Sequence, residues 1–217
     1  YRINESYKQL RTNIEFSGEE NKIIAITSCT PSEGKSTVSL STAYSLAEAG
    51  KKVLFIDADL RKSVLAGRYK VTGEMKGLTH FLSGQGDLSE ILCKTNEKGL
   101  FVIFAGPVPP NPAELLGSKK FAALLKEARN IYDYIIIDTP PLGSVIDSAI
   151  VSAACDAAIL VISANTVSYK FARSVKDQLT KTGCNILGVV LNKVSMKQNK
   201  YYGKYYGRYY GHYGSDN

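Results

Sequence analysis

Four residues of the 217-residue chain carry groups that act on phosphates: Lys35, Asp57, Asp59 and Asp138. Lys35 belongs to Cys29-Thr30-Pro31-Ser32-Glu33-Gly34-Lys35-Ser36-Thr37, a small polar stretch between the apolar run Ile23-Ile24-Ala25-Ile26 and a helical pattern that begins near Lys35 and is stopped by Gly50. Strand, loop and helix in that order are the setting of a phosphate-binding loop, in which backbone N–H groups and the helix dipole converge on an anion. Ser32, Glu33, Gly34, Lys35, Ser36 and Thr37 are the predicted nucleotide-binding residues. Lys35 would reach the outer phosphates, and the Ser36 hydroxyl would ligate Mg²⁺. The first glycine of the usual G-x-x-x-x-G-K-[ST] pattern is replaced by Cys29.

The acids stand at the ends of apolar runs. Lys52 to Arg61 reads as a strand closing on Asp57-Ala58-Asp59-Leu60-Arg61, and Asp133 to Pro141 as a strand closing on Asp138-Thr139-Pro140-Pro141. In a parallel α/β sheet, ligands gather at the carboxyl ends of strands, so all three acids face the crevice of the phosphate loop. Two carboxylates beside that loop suit Mg²⁺ coordination and proton acceptance from a nucleophile. The Asp138 strand has the form of a Walker B element, whose acid holds Mg²⁺ directly or through water.

The elements that position these groups alternate. Helical spacing of Tyr7, Leu10 and Ile14 predicts an amphipathic helix over about 4–16, with Asn4 as N-cap. A short helix near 78–82, a strand near 100–105 and a helix over about 119–130 follow. Strands over 157–162 and 186–191 flank a helix over about 169–181. The βαβ alternation implies one α/β domain with a mainly parallel sheet. Asn192 ends the last strand near the crevice, where its amide could read the base or close an ordinary turn. On the first helix Glu5, Lys8 and Arg11 form one charged stripe, open to two readings, a solvated face of i,i+3 pairs or a subunit contact.

Composition narrows the partners. The formal charge is +7, from 27 basic and 20 acidic residues, so an anionic partner must be considered. From Lys193 onward five basic residues face one acid, a local excess of +4. No apolar run approaches the ~20 residues of a membrane helix. Cys29, Cys93, Cys155 and Cys184 are too far apart in sequence for a zinc or disulfide framework.

Beyond Val194 the periodicity stops, and Tyr201-Tyr202-Gly203-Lys204 begins a Tyr-Tyr-Gly-basic repeat holding Tyr205, Tyr206, Tyr209, Tyr210 and Tyr213. A glycine at every fourth place opposes helix and strand alike, so residues 194–217 are expected to be disordered. An aromatic, basic strip could also stack on single-stranded nucleic acid. Position favours a different use. Such a segment has an r.m.s. reach of about 25–30 Å, which brings its tyrosines to a phosphoryl-transfer crevice. A Tyr hydroxyl with pKa near ~10 becomes a nucleophile when Asp57 or Asp59 takes its proton.

Thr30 to Thr37, Phe55 to Arg61, Ile135 to Pro141 and the tyrosine cluster together resemble the bacterial tyrosine kinase (BY-kinase) family. The likeness is to the cytoplasmic kinase subunit of capsular or exopolysaccharide synthesis in Gram-positive bacteria. That resemblance implies a P-loop NTPase fold, ATP and Mg²⁺ as cofactors, and phosphorylation of Tyr201, Tyr202, Tyr205, Tyr206, Tyr209, Tyr210 and Tyr213, mostly between subunits of a homo-oligomeric ring. It implies that Asp57 is the base with Asp59 in support, and that Ser36, Asp57 and Asp138 serve the metal. It further implies a separate transmembrane activator of the polysaccharide co-polymerase type, a cognate phosphotyrosine phosphatase and a cytoplasmic location at the inner face of the membrane. No nucleic-acid partner is expected. The family's E-x-x-R-x-x-R subunit motif reads here as Glu5-x-x-Lys8-x-x-Arg11, with lysine replacing one planar fork. Three segments result: an oligomerisation helix (1–20), a kinase domain (21–193) and the tyrosine tail (194–217). The competing class is the partitioning and septum-site ATPases, whose loop carries an early lysine where this chain has Thr30.

Overall fold

The computed structural model describes residues 2–68 and 76–195; the seven tail tyrosines lie outside them. The chain order begins α1 (Arg2–Glu15), β1 (Ile23–Ser28), α2 (Lys35–Glu48), β2 (Val53–Asp57), α3 (Leu65–Arg68), α4 (Leu78–Leu82) and α5 (Leu88–Ile91). It continues through β3 (Leu92–Lys94), β4 (Leu100–Ile103), α6 (Pro112–Leu116), α7 (Lys119–Ile131) and β5 (Tyr134–Asp138). The last elements are α8 (Asp147–Ala153), β6 (Ala157–Ser163), α9 (Tyr169–Thr180) and β7 (Asn185–Asn192).

Seven strands form one sheet in the order β3-β4-β2-β5-β1-β6-β7. All neighbours are parallel except β3, which runs antiparallel to β4 at the edge. The central strands β1 and β2 are buried at every residue, because helices cover both faces; that is why they read in sequence as continuous rather than alternating apolar runs. On one face, Ile14 of α1, Val38 and Leu46 of α2 and Leu65 of α3 pack on Ile24, Ile26 and Phe55. On the other, Leu78, Ile91, Leu116, Phe121, Val151 and Val175 pack on Ala25, Ile56 and Ile137. The result is a three-layer α/β/α sandwich, as the alternation required.

Some boundaries differ from the sequence reading. The first helix starts at Arg2, so Asn4 lies inside its first turn and does not cap it. The segments α3, α5, α6 and β3 have only three to five residues, too few to show a period. The stop of α2 is as expected: Ala49 is the C-cap and Gly50 takes the left-handed φ of 86°. No described helix is long and apolar enough to cross a membrane.

The helix α7 depends on one aromatic anchor, Phe121, which is fully buried beneath the sheet. Phe121→Ala is expected to cost about 3–5 kcal/mol through lost burial and a residual cavity, seen as a lower urea midpoint at unchanged m-value.

Candidate active site

The strand order brings the chemical groups together. Strand β1 lies between β5 and β6, and β2 lies beyond β5, so the ends of β1, β2 and β5 border one crevice. Asp57 and Asp138 are register partners on neighbouring strands, and Asp138 also pairs with Ile26 of β1. The phosphate loop leaves β1 two residues later.

Lys35 occupies the centre of this crevice. Its Nζ donates to Asp59 Oδ2 at 3.0 Å, reaches Asp138 Oδ2 at 3.4 Å and lies 3.2 Å from Ser36 Oγ. All four groups are buried or nearly so. Burial alone would lower the Lys35 pKa, but Asp138 and Asp59 outweigh it and hold the ammonium above its usual range. Asp138 is raised, first by burial, against the pull of Lys35 and of hydrogen bonds from Ser36 and Ser39. Asp57 is raised to about 7 by burial and by the neighbouring Asp138. Its Oδ2 accepts from the Ser63 hydroxyl at 2.5 Å and its Oδ1 from the Asp59 N–H at 3.2 Å.

Three carboxylates with one ammonium leave an excess of negative charge in a buried site. Hard oxygen donors with that excess fit a Mg²⁺ ion, and Ser36 Oγ and Asp138 are the pair best placed to hold it beside the loop. Asp57 and Asp59 complete the acidic wall. Nucleotide phosphates at the loop would draw Lys35 away from the acids, whose charge a divalent cation would then balance.

The loop itself is built from backbone. Ser32 has φ 65° and Gly34 φ 93°, the alternation that turns successive N–H groups toward one concavity. A Cβ on Gly34 would meet Asn192 Nδ2 at 2.2 Å, so the close approach of β7 demands glycine there. Glu33, one of the predicted nucleotide-binding residues, uses its side chain within the protein. Its carboxylate is buried, accepting from Thr30 N–H at 2.7 Å and from Ser163 N–H at 3.1 Å, so it braces the loop against the end of β6. Asn192 donates its amide to the Glu33 carbonyl at 2.8 Å, which gives that nitrogen a loop-holding task. Thr37 is exposed on the first turn of α2. Cys29, in the first-glycine place, is fully buried, and burial pushes its thiol to about 11, so it is not a nucleophile here.

The reading of the residues missed Ser39, Ser63 and the Arg61–Asp147 pair. Ser39 Oγ lies 2.8 Å from Asp138 Oδ1 and 2.7 Å from the Lys35 carbonyl. Arg61 grips the buried Asp147 with two bonds of 2.7 and 3.0 Å, tying the loop after β2 to α8. The serines carry no signal in sequence, whereas Arg61, two residues beyond Asp59, was visible in the D-x-D-x-R spacing. On the first helix Glu5 and Lys8 are exposed, and Arg11 is half-buried, its Nη1 donating to the Ser45 carbonyl of α2 at 2.9 Å.

Known proteins share this arrangement. Residues 21–186 match the family model of an AAA domain. The tyrosine-protein kinase CpsD of Streptococcus agalactiae serotype Ia is 52% identical over 191 residues, 88% of this chain and 82% of that protein. This chain belongs to the bacterial tyrosine kinase family. The kinase domain of the Escherichia coli tyrosine kinase ETK is similar with a TM-score of 0.84 and 35% identity, over 91% of this chain and 78% of that one. The chimerical protein CapA2B2 gives 0.83 and 32%, over 88% and 84%. The septum site-determining protein MinD of Pyrococcus horikoshii, solved with Mg-ADP, is more distant at 0.69 and 27%, over 82% and 72%. The fold is thus a nucleotide-binding P-loop fold, and the kinase reading stands over the septum-ATPase alternative.

The raised Asp57 pKa has a signed consequence. Between its ordinary value of 3.8 and about 7, the folded chain holds a proton that the unfolded chain releases. Stability from this group therefore falls as pH rises through that window, by up to about 1.4 kcal/mol per unit, and levels off above it. Denaturation of chelator-treated protein between pH 4.5 and 7.5, on the order of these limits, should show the slope in wild type and a flatter profile in Asp57→Asn.

Proposed function

We propose that the chain is an ATP-dependent protein-tyrosine kinase that phosphorylates Tyr201 to Tyr213 of its own sequence, mainly on a neighbouring copy. The observation that carries this reading is the convergence of Lys35, Asp57, Asp59 and Asp138 on the phosphate loop, with the tyrosine-bearing segment following directly on β7, which packs on the same loop. Lys35 contacts the outer phosphates of ATP and spreads the charge that develops on the transferred group. Asp57 takes the proton of the attacking tyrosine hydroxyl, supported by Asp59, whose N–H and carboxylate fix the geometry around it. Ser36 and Asp138, with Asp57 beside them, would hold Mg²⁺, which when bound would neutralise phosphate charge. The burial of these groups limits the access of water that would compete with tyrosine as acceptor.

The same reading places the kinase in the cytoplasm, working with a separate membrane protein whose cytoplasmic segment activates it at the inner face of the membrane. A phosphotyrosine phosphatase reverses the modification, and the cycle regulates capsular or exopolysaccharide synthesis and export. Residues 1–20 serve copy-to-copy contact in a ring, with Glu5 and Lys8 available on the surface; Arg11 divides its role, since it also secures α1 to α2. Residues 21–193 form the kinase body and 194–217 the acceptor tail.

Incubation of the full chain with Mg-ATP and the activator's cytoplasmic segment should place phosphate on several of the tyrosines from Tyr201 to Tyr213, read by mass spectrometry. ATP hydrolysis with no phosphate on any of them would overturn the kinase reading. Lys35→Met should reduce tail phosphorylation by at least about 10²-fold, the scale of losing one preorganised charge-stabilising group.

A further inference from the structure

The outer side of the phosphate loop is held by two consecutive residues, the last of β7 and the one that follows it. Asn192 Nδ2 donates to the Glu33 carbonyl at 2.8 Å, and Lys193 Nζ donates to the Ser32 carbonyl at 2.6 Å. Ser32 and Lys193 are two of only three non-glycine residues at positive φ among the described residues, at 65° and 56°. A side-chain-bearing residue in the left-handed region costs on the order of 1–2 kcal/mol and persists where surroundings over-determine it. Here the surroundings are mutual, since the strained Lys193 backbone turns its side chain back onto the strained Ser32.

The chemistry of the loop explains why such donors are needed. A chain that turns its N–H groups inward, toward an anion, turns its carbonyls outward, and those carbonyls require partners. An ammonium donor on one of them also leaves a positive charge at the rim of the anion site. We infer that Lys193, together with Asn192, is a positioning residue that keeps the loop in its phosphate-binding conformation before nucleotide arrives. Without it, the ligand itself must impose the strained Ser32 conformation, and affinity falls by that ordering cost. The inference rests on the loop being the nucleotide cradle of the kinase.

Lys193→Met keeps the aliphatic stem and removes both donor and charge. With the full chain and a fluorescent Mg-ADP analogue as the probe, Lys193→Met should weaken binding about tenfold. In the phosphorylation assay the loss should appear in KM for ATP, with kcat changed far less. Lys193→Arg, whose guanidinium can reach the same carbonyl, should recover most of the affinity. Lys181→Met, an exposed lysine at the end of α9, controls for loss of surface charge and should bind as wild type. Affinity of Lys193→Met within twofold of wild type would overturn the inference, as would an equal loss in Lys181→Met. Failure of the wild-type chain itself to bind the probe would instead overturn the nucleotide-site reading.

Discussion

The interaction on which the molecule depends is the ammonium of Lys35 among the carboxylates of Asp57, Asp59 and Asp138. Charges buried at this density are expensive to hold unless compensated. The chain supplies compensation from within, with Lys35 Nζ at 3.0 Å from Asp59 and 3.4 Å from Asp138. The compensation is incomplete, and the residual negative charge is of the sign that a divalent cation would balance. Each neighbouring element then has a task relative to this centre. Strands β2 and β5 deliver Asp57 and Asp138 side by side, α2 delivers Lys35 and Ser36 on its first turn, and Ser39 and Ser63 hold the acids in orientation.

A second layer of contacts holds the phosphate loop itself. Glu33 fastens it to β6, while Asn192 and Lys193 fasten it to β7. The loop is therefore supported by strands on one side of β1, and the acids come from strands on the other. A nucleotide at the loop would therefore meet groups from both halves of the sheet, the property expected at a point where strand order reverses.

Much of this was legible in the sequence, for identifiable reasons. Strands buried on both faces write themselves as apolar runs, and their terminal acids stand out because an acid there has no place in a core; hence Asp57 and Asp138 were found with their strands. Helices of twelve or more residues announce their spacing, as with α7 and α9. The helix α8 was not anticipated because it has seven residues and, beside Val151, its buried positions are polar, Asp147, Ser148 and Ser152, so no apolar period appears. The brace made by the Glu33 side chain was not legible, because local sequence cannot say which way a loop side chain turns; its partner Ser163 is 130 residues away. The same separation hid Ser39 and Lys193, whose roles exist only once distant strands are adjacent.

The hold of Lys193 on the loop also bounds something beyond the loop. Tyr201 follows Lys193 by eight residues, and at about 3.3–3.6 Å per residue a chain of that length spans at most about 29 Å. Whatever conformation the intervening residues adopt, the first tyrosine of the repeat stays within that radius of the point where the strand meets the phosphate loop. Confining one hydroxyl to such a sphere corresponds to an effective concentration on the order of 10 mM, far above what any free protein substrate reaches. If that tyrosine is an acceptor, a neighbouring copy held beside the crevice would present it at a comparable level, so that neither strong intrinsic affinity nor a marked sequence preference would be needed, as a repeat as plain as Tyr-Tyr-Gly-basic allows.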